Sequence, residues 1–220
     1  MANMDVAATI QSLSAGVIPI LFAITLHELS HGWVARHYGD RTAEMLGRLT
    51  VNPLKHIDPV GSIAVPVALS LMNLPLFGWA KPVPVNPRNL RHPKRHMVLV
   101  AAAGPASNFA MALFWSLALA LVLHLPLPFG AGRTFLMSMT QIGITFNVLL
   151  AIFNLIPIPP LDGGRVLRGL VPEGLGRKLD ALEPYGLILI VGLLVLEVLG
   201  RIVGPLASLV AAFFYSIARI

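Results

Sequence analysis

Long apolar stretches alternate with short polar segments along this chain. The stretches that suit helices cover 11–36, 60–77, 97–123, 134–156, 184–199 and 202–218. A helix needs about 20 apolar residues to cross the hydrocarbon core of a bilayer. The pattern therefore predicts an all-α polytopic membrane protein with about five spanning helices. Segment 60–77 is the exception, because it is short and is interrupted by Pro66.

Positive charge predicts the orientation of the helices. Most of the 16 lysine and arginine residues lie in the segments 36–58, 78–96 and 157–183. Cytoplasmic loops collect such residues. These three segments share one side of the membrane only if 60–77 does not cross it, so we predict that 60–77 is re-entrant or interfacial. The same rule places the N-terminus outside the cell, in a multi-pass protein of the cell (inner) membrane.

Two segments between the helices have a different character. Residues 48–53 and 79–87 are short, rich in β-branched residues and punctuated by proline. Proline is tolerated in strands mainly at sheet edges. These segments predict a small β element near the cytoplasmic face.

Composition narrows the class of protein further. The chain is 56% hydrophobic and only 12% charged, whereas a soluble domain carries about 25% charged residues. No polar linker divides it, so we expect a single membrane domain over 1–220. The net charge of +6 is explained by membrane topology, without nucleic acid. The chain has no cysteine, which leaves imidazole and carboxylate groups as metal ligands.

One apolar segment contains the pattern H-E-x-x-H. His27 and His31 are four residues apart, so on a helix they lie on one face, about 6 Å apart, and can reach one Zn²⁺. Glu28 is then placed to act as a general base on a metal-bound water. The alternative is a pair of histidines packed in a polar seam. Ionisable residues at membrane depth are costly, which favours the functional interpretation.

A catalytic zinc site needs a third protein ligand. His37 stands where some zinc proteases place it, but their preceding turn-forming glycine is Val34 here, so a continuous helix carries His37 away from His31. Elimination among the ten acidic residues favours Asp162 instead. It follows a charge-free run and a Pro-rich break, and non-helical backbone at membrane depth typically lines a cavity. The alternative is an exposed aspartate in an ordinary loop.

A patch of small residues opens the segment 97–123. Gly104 and Asn108 are four residues apart within it, and small residues allow membrane helices to approach closely. Generic helix packing explains Gly104. Asn108 either forms an interhelical hydrogen bond or faces the site.

Together these motifs resemble the site-2 protease family of intramembrane zinc metalloproteases. The matching segments are 27–31, 104–108 and 154–163, in that order, and 78–87 is similar to the compact prokaryotic branch that lacks PDZ and CBS domains. The resemblance implies one Zn²⁺ per chain, held by His27, His31 and Asp162, with Glu28 as the catalytic base. It also implies that Asn154 lies near the metal and helps to hold the substrate or the tetrahedral intermediate.

The sequence thus predicts an intramembrane zinc endopeptidase. Its partners would be transmembrane proteins or peptides in a lipid bilayer, and its active site would lie toward the cytoplasmic side. The alternatives are a membrane metal-binding or transport protein and an inactive scaffold. Transporters usually distribute polar residues along a path, whereas here they converge on one point. The identity of the substrate, the gate and the oligomeric state are not predicted.

Overall fold

The computed structural model describes residues 6–72, 78–126, 128 and 130–219, with side chains from residue 14 onward. The described part is mainly helical. The α-helices are α1 (Val6–His37), α2 (Thr42–Met45), α3 (Val65–Leu71), α4 (Pro93–His124), α5 (Ala131–Asn154), α6 (Asp162–Leu170), α7 (Glu173–Leu182), α8 (Gly186–Val195) and α9 (Val198–Ile217).

Within the described residues, four helices are long and apolar enough to cross a membrane. They are Ser14–His37 of α1, and the whole of α4, α5 and α9. The all-α membrane class predicted from the sequence is therefore confirmed. The prediction of about five spans is wrong over 184–199, because α8 has 10 residues and extends only about 15 Å. The chain breaks at Glu197, whose φ of 59° is left-handed, and α9 starts directly after it.

The described part of the segment 60–77 forms a short apolar helix, Pro59–Leu71. It begins as a π-helical turn over Pro59–Ala64 and continues as α3. This helix falls short of the length that a span needs. Residues 73–77 lie outside the described part of the chain. The carboxylate of Asp58 caps the helix by accepting hydrogen bonds from the N–H groups of Val60 and Gly61.

The predicted β element is wrong, since the described residues contain no strand. Residues 78–86 form neither helix nor strand, because prolines remove N–H donors that a ladder requires. The prolines in and after this segment are Pro82, Pro84 and Pro87. Two of the remaining N–H groups, those of Val83 and Asn86, donate to carboxylate side chains instead.

Three spanning helices form the frame of the molecule. Helices α1, α4 and α5 pack against one another, and α9 covers α5 and part of α4. An apolar core joins the far half of α4 to α5 and α9. Helix α6 packs against α4, which brings the start of α6 to the polar face that α4 presents to α1.

Candidate metal centre

Helix α1 places two imidazoles side by side. His27 and His31 are one turn apart, both are buried, and their ring centroids are 4.7 Å apart at an angle of 87°. Glu28 follows His27 on the neighbouring face and is partly buried. The local sequence therefore forms the predicted arrangement on a regular helix.

Asp162 meets both imidazoles from the start of α6. Its Oδ2 lies 3.1 Å from Nε2 of His27 and 3.3 Å from Nε2 of His31. Glycines make this approach possible. A Cβ at Gly163 would lie 2.2 Å from the carbonyl oxygen of Leu155, and a Cβ at Gly164 would lie 2.4 Å from the backbone nitrogen of Pro159. Only glycine lets α6 fold back so closely on the end of α5.

Hydrogen bonds at the other ring nitrogens fix the tautomer of each histidine. Nδ1 of His31 lies 2.7 Å from the carbonyl oxygen of Val100, which can only accept, so Nδ1 carries the proton. Nδ1 of His27 lies 2.6 Å from Oδ1 of Asn108 and must donate for the same reason. In the neutral rings, both Nε2 atoms then direct lone pairs toward Asp162.

The two Nε2 atoms and Oδ2 of Asp162 are close enough together to bind one metal cation. The candidate ligand atoms of His27, His31 and Asp162 lie within 4.8 Å of one another. Oδ2 of Asp162 is buried without a hydrogen-bond donor of acceptable geometry, although both Nε2 atoms are close to it. Lone pairs that converge without a proton between them are stabilised by a metal ion. The donor set of two imidazoles and one carboxylate matches the ligands that zinc accepts.

A chain of buried amides orients the site. Nδ2 of Asn108 donates to the carbonyl oxygen of Ala23 at 3.2 Å and to Oδ1 of Asn147 at 2.9 Å. Nδ2 of Asn147 in turn donates to the carbonyl oxygen of Gly143 at 2.8 Å. The two backbone carbonyls fix which end of each amide is the donor. Asn108 thus both forms an interhelical bond and contacts a site histidine.

Gly104 has a more specific role than general helix packing. A Cβ at this position would lie 2.5 Å from Nε2 of His31 and 2.6 Å from Cε1 of His27. The absence of a side chain is what lets α4 lie against both rings. Its spacing of four residues from Asn108 is the sequence signal that places it on the same face.

The catalytic candidate Glu28 is held by the segment 78–86. Its Oε2 accepts a hydrogen bond of 2.7 Å from the backbone N–H of Val83. The side chain of Val83 is buried and comes so near Gly32 that a Cβ there would lie 2.8 Å from it. Gly32 thus lets this segment cross α1 next to Glu28.

Neither Asn154 nor His37, which the sequence argued against as a ligand, forms a hydrogen bond or an ion pair with this cluster in the described structure. Asn154 ends α5, and its Nδ2 donates to the carbonyl oxygen of Leu150 in its own helix at 2.9 Å. None of its hydrogen bonds in the described structure reaches His27, His31 or Asp162. His37 is exposed at the end of α1. Sequence reasoning missed Asn147, although an amide in the middle of an apolar helix was the available signal.

Comparison with known proteins indicates similarity to one peptidase family and to zinc metalloproteases. The model of "Peptidase family M50" matches residues 130–199. "Putative zinc metalloprotease YwhC" of Bacillus subtilis is 40% identical over 193 residues, which cover 87% of this chain and 85% of that protein. "Putative zinc metalloprotease Rip2" of Mycolicibacterium smegmatis is 30% identical over 190 residues, or 82% of this chain and 66% of its own length. No solved structure matches the chain.

Proposed function

This chain belongs to peptidase family M50, and we propose that it is a zinc endopeptidase that hydrolyses peptide bonds within or near transmembrane segments of membrane proteins. One observation carries the proposal. His27, His31 and Asp162 direct three metal-binding atoms to one buried point beside Glu28. The two histidines and Glu28 belong to a helix long enough to span a membrane. The relatives described as zinc metalloproteases support the same chemistry.

We assign the zinc ligands as Nε2 of His27, Nε2 of His31 and Oδ2 of Asp162. Three protein ligands leave the fourth position of a catalytic zinc open. Zinc bound there would supply Lewis-acid polarisation of a carbonyl group and would lower the pKa of water. The hydrogen bonds from Nδ1 of each ring to Asn108 and Val100 keep the imidazoles in the tautomer that binds metal.

We assign the proton transfers to Glu28. Its carboxylate takes a proton from the attacking water and returns it to the leaving amine. Oε2 is already held by the N–H of Val83, so Oε1 is the oxygen that we assign to the moving proton. This backbone bond orients the carboxylate without adding another charge to the site.

The substrate class follows from where the site lies. A transmembrane substrate has its carbonyls in helical hydrogen bonds and must unwind locally before hydrolysis. Segment 78–86 passes Glu28, and most of its N–H groups are either missing at proline or already donate to other groups. We propose that the unwound substrate lies along this segment and donates to its carbonyl oxygens rather than forming a full ladder. Asn154 and Asn108 remain candidates for contacts near the reacting carbonyl.

The proposed orientation has the N-terminus outside the cell membrane and the site toward the cytoplasm. The basic segments that follow α1, precede α4 and follow α5 support it. His27–His31 lies about 10 Å from the basic end of α1, at 1.5 Å per residue. Water therefore has a short route to the site from the cytoplasmic side.

Replacing Glu28 by Gln separates hydrolysis from metal binding. Glu28→Gln in proteoliposomes should keep one zinc per chain by mass spectrometry and lose cleavage of an embedded peptide by about 10²–10⁴-fold, as expected for a general base. Glu44→Gln is the matched control, because Glu44 is a carboxylate beyond the end of α1 that pairs with Arg36 at 3.0 Å. It should cleave like the wild type.

The outcomes distinguish the proposed functions. Cleavage retained in Glu28→Gln would falsify the assigned base. A wild-type protein that binds zinc stoichiometrically but cleaves no embedded peptide would favour a metal-binding or transport protein. His31→Ala should lose the zinc together with cleavage, since it removes one of three ligands.

A further inference from the structure

A groove lies between α1 and α4, and none of the proposed zinc ligands lines it. Its volume is about 440 Å³ and its lining is almost wholly apolar. The groove is lined, among others, by Trp33, Val34, His37, Leu99, Ala103 and Ala106. Small side chains of α4 line one side of the groove. Trp33, which is 63% exposed, lines it from α1. The groove is thus bordered by two helices that are long and apolar enough to span a membrane.

One end of the groove is strongly basic. Tyr38, at the end of α1, stacks on His96 with ring centroids 4.0 Å apart, and its carbonyl oxygen accepts a hydrogen bond from the N–H of Arg91. The charged or ionisable groups that act on His96 are His92, Arg95, Arg91 and His37. We call Arg91, His92, Arg95 and His37 the basic mouth. Every member of the mouth is exposed.

No carboxylate of the described residues forms an ion pair with the basic mouth. The two acidic residues that follow α1 have other partners. Asp40 is buried and accepts hydrogen bonds from Asn86 and Asn89, and Glu44 pairs with Arg36 and Arg41. Among the residues that the structure describes, no ion pair offsets the positive charge of the mouth.

The charge and the groove follow one face of α4. Arg95, Leu99, Ala102 and Ala106 recur at intervals of four, three and four residues, so they lie along a single helical stripe. The stripe is cationic where α4 begins and apolar farther along. An amphiphile with an anionic head and an extended hydrocarbon chain matches this order.

We propose that this groove binds an anionic phospholipid, with the phosphate at the basic mouth and one acyl chain along Leu99, Ala103 and Ala106. Basic pockets between membrane helices on the cytoplasmic side are suited to anionic headgroups. The occupant is a lipid of the surrounding bilayer, because the groove lies between two helices that suit a membrane span and carries both chemistries that a lipid presents. This site is independent of the proposed hydrolysis.

Trp33 provides a direct probe of the occupant. The full chain is placed in nanodiscs of phosphatidylcholine that contain a small fraction of phosphatidylglycerol with brominated chains, which quench tryptophan fluorescence on contact. The signal of Trp33 is the difference from the same protein with Trp33→Phe. Brominated phosphatidylglycerol should quench Trp33 several times more than an equal fraction of brominated phosphatidylcholine.

Variants test which residues cause the preference for phosphatidylglycerol. Arg91→Gln together with Arg95→Gln should remove most of the preference, so that the two lipids quench Trp33 nearly equally, because both cations attract an anionic headgroup. Arg177→Gln with Lys178→Gln removes the same charge from α7 and should change nothing. Ala106→Phe fills the groove without changing charge and should lower quenching by both lipids.

Three results would overturn the proposal. They are equal quenching by the two lipids in the wild type, an equal effect of the α7 pair and the Arg91 and Arg95 pair, and displacement of quenching by excess inorganic phosphate. The last result would assign the mouth to a soluble anion. If the double variant fails to fold, the wild-type lipid comparison and Ala106→Phe still decide.

Discussion

The two halves of α4 present the same buried stripe to very different partners. The first half places Gly104 and Asn108 against imidazoles. The second half places Trp115 and Leu119 in an apolar core with α5 and α9. In the first half, function depends on single atoms at hydrogen-bonding distance. In the second, stability depends on filled volume. Substitutions of similar size should therefore impair zinc binding in the first half and lower the free energy of unfolding in the second.

The largest expected effect is at the glycine between the imidazoles. Gly104→Ala would place a Cβ 2.5 Å from Nε2 of His31, so the rings must move out of the ligand geometry. We expect loss of bound zinc and at least about a hundredfold lower cleavage, in the range of disrupted metal shells. Zinc content and peptide cleavage in proteoliposomes measure both effects.

Gly143→Ala is the matched change opposite the apolar half of α4, since Gly143 lies on α5 and faces Trp115. Its Cβ would lie 2.4 Å from Trp115, an overpacking that costs about 1–3 kcal/mol of unfolding free energy. Zinc content should stay at the wild-type level. Zinc loss in Gly143→Ala would mean that the halves are coupled through Asn147 and Asn108, and the proposed division of α4 would fail.

A smaller effect is expected where a hydrogen bond orients a ligand. Asn108→Leu removes the acceptor for Nδ1 of His27 and leaves a buried ring N–H unpaired. We expect zinc affinity to fall by about tenfold to a hundredfold, as for other groups that orient metal ligands. Competition with a zinc chelator measures it. Unchanged affinity would show that packing alone holds the ring of His27.

The apolar half should respond through stability alone. Leu119 is 4% exposed, and Leu119→Ala should lower the free energy of unfolding by about 2 kcal/mol through the cavity that it leaves. Zinc affinity per folded molecule should not change. Unfolding in detergent, followed by circular dichroism, gives the first quantity and chelator competition gives the second.

The sequence predicted the identity of the candidate site residues better than it predicted the contacts around them. Asp162 could be selected because a charge-free run precedes it and acidic residues are few. The role of Gly104 could not be predicted in this way. A glycine in a membrane helix is equally consistent with general helix packing until its contact with the imidazole rings is known. Asn147 was missed although it completes the amide chain.

Two errors in the predicted fold have local causes. Residues 79–87 were predicted to form a strand, but their prolines interrupt the series of N–H donors. The N–H groups of Val83 and Asn86 donate to Glu28 and Asp40 rather than to a neighbouring strand. The stretch 184–199 read as a span by hydropathy. A single residue, Glu197, in a left-handed conformation divides it from α9, and periodicity carries no information about such a break.

The smallest expected effect concerns the segment that leads into the polar half of α4. Asp40 accepts hydrogen bonds from Asn86 at 2.6 Å and Asn89 at 3.0 Å, and so ties α1 to that segment. Burial alone would raise the pKa of Asp40, but hydrogen bonds from Thr42, Asn89 and Asn86 outweigh it and lower the pKa below its ordinary value. Asp40→Asn should cost about 1 kcal/mol of unfolding free energy at neutral pH.

The pH dependence identifies the charge of Asp40 as the cause. A carboxyl whose pKa is lowered by folding stabilises the fold above its unfolded pKa of about 3.9, and this contribution disappears as the pH falls through the folded pKa. The difference in Tm between the wild type and Asp40→Asn should thus be largest near pH 7 and shrink below about pH 4. A difference that stays the same on acidification would mean that the neutral amide fails for a steric reason, and that this segment depends on volume as the apolar half of α4 does.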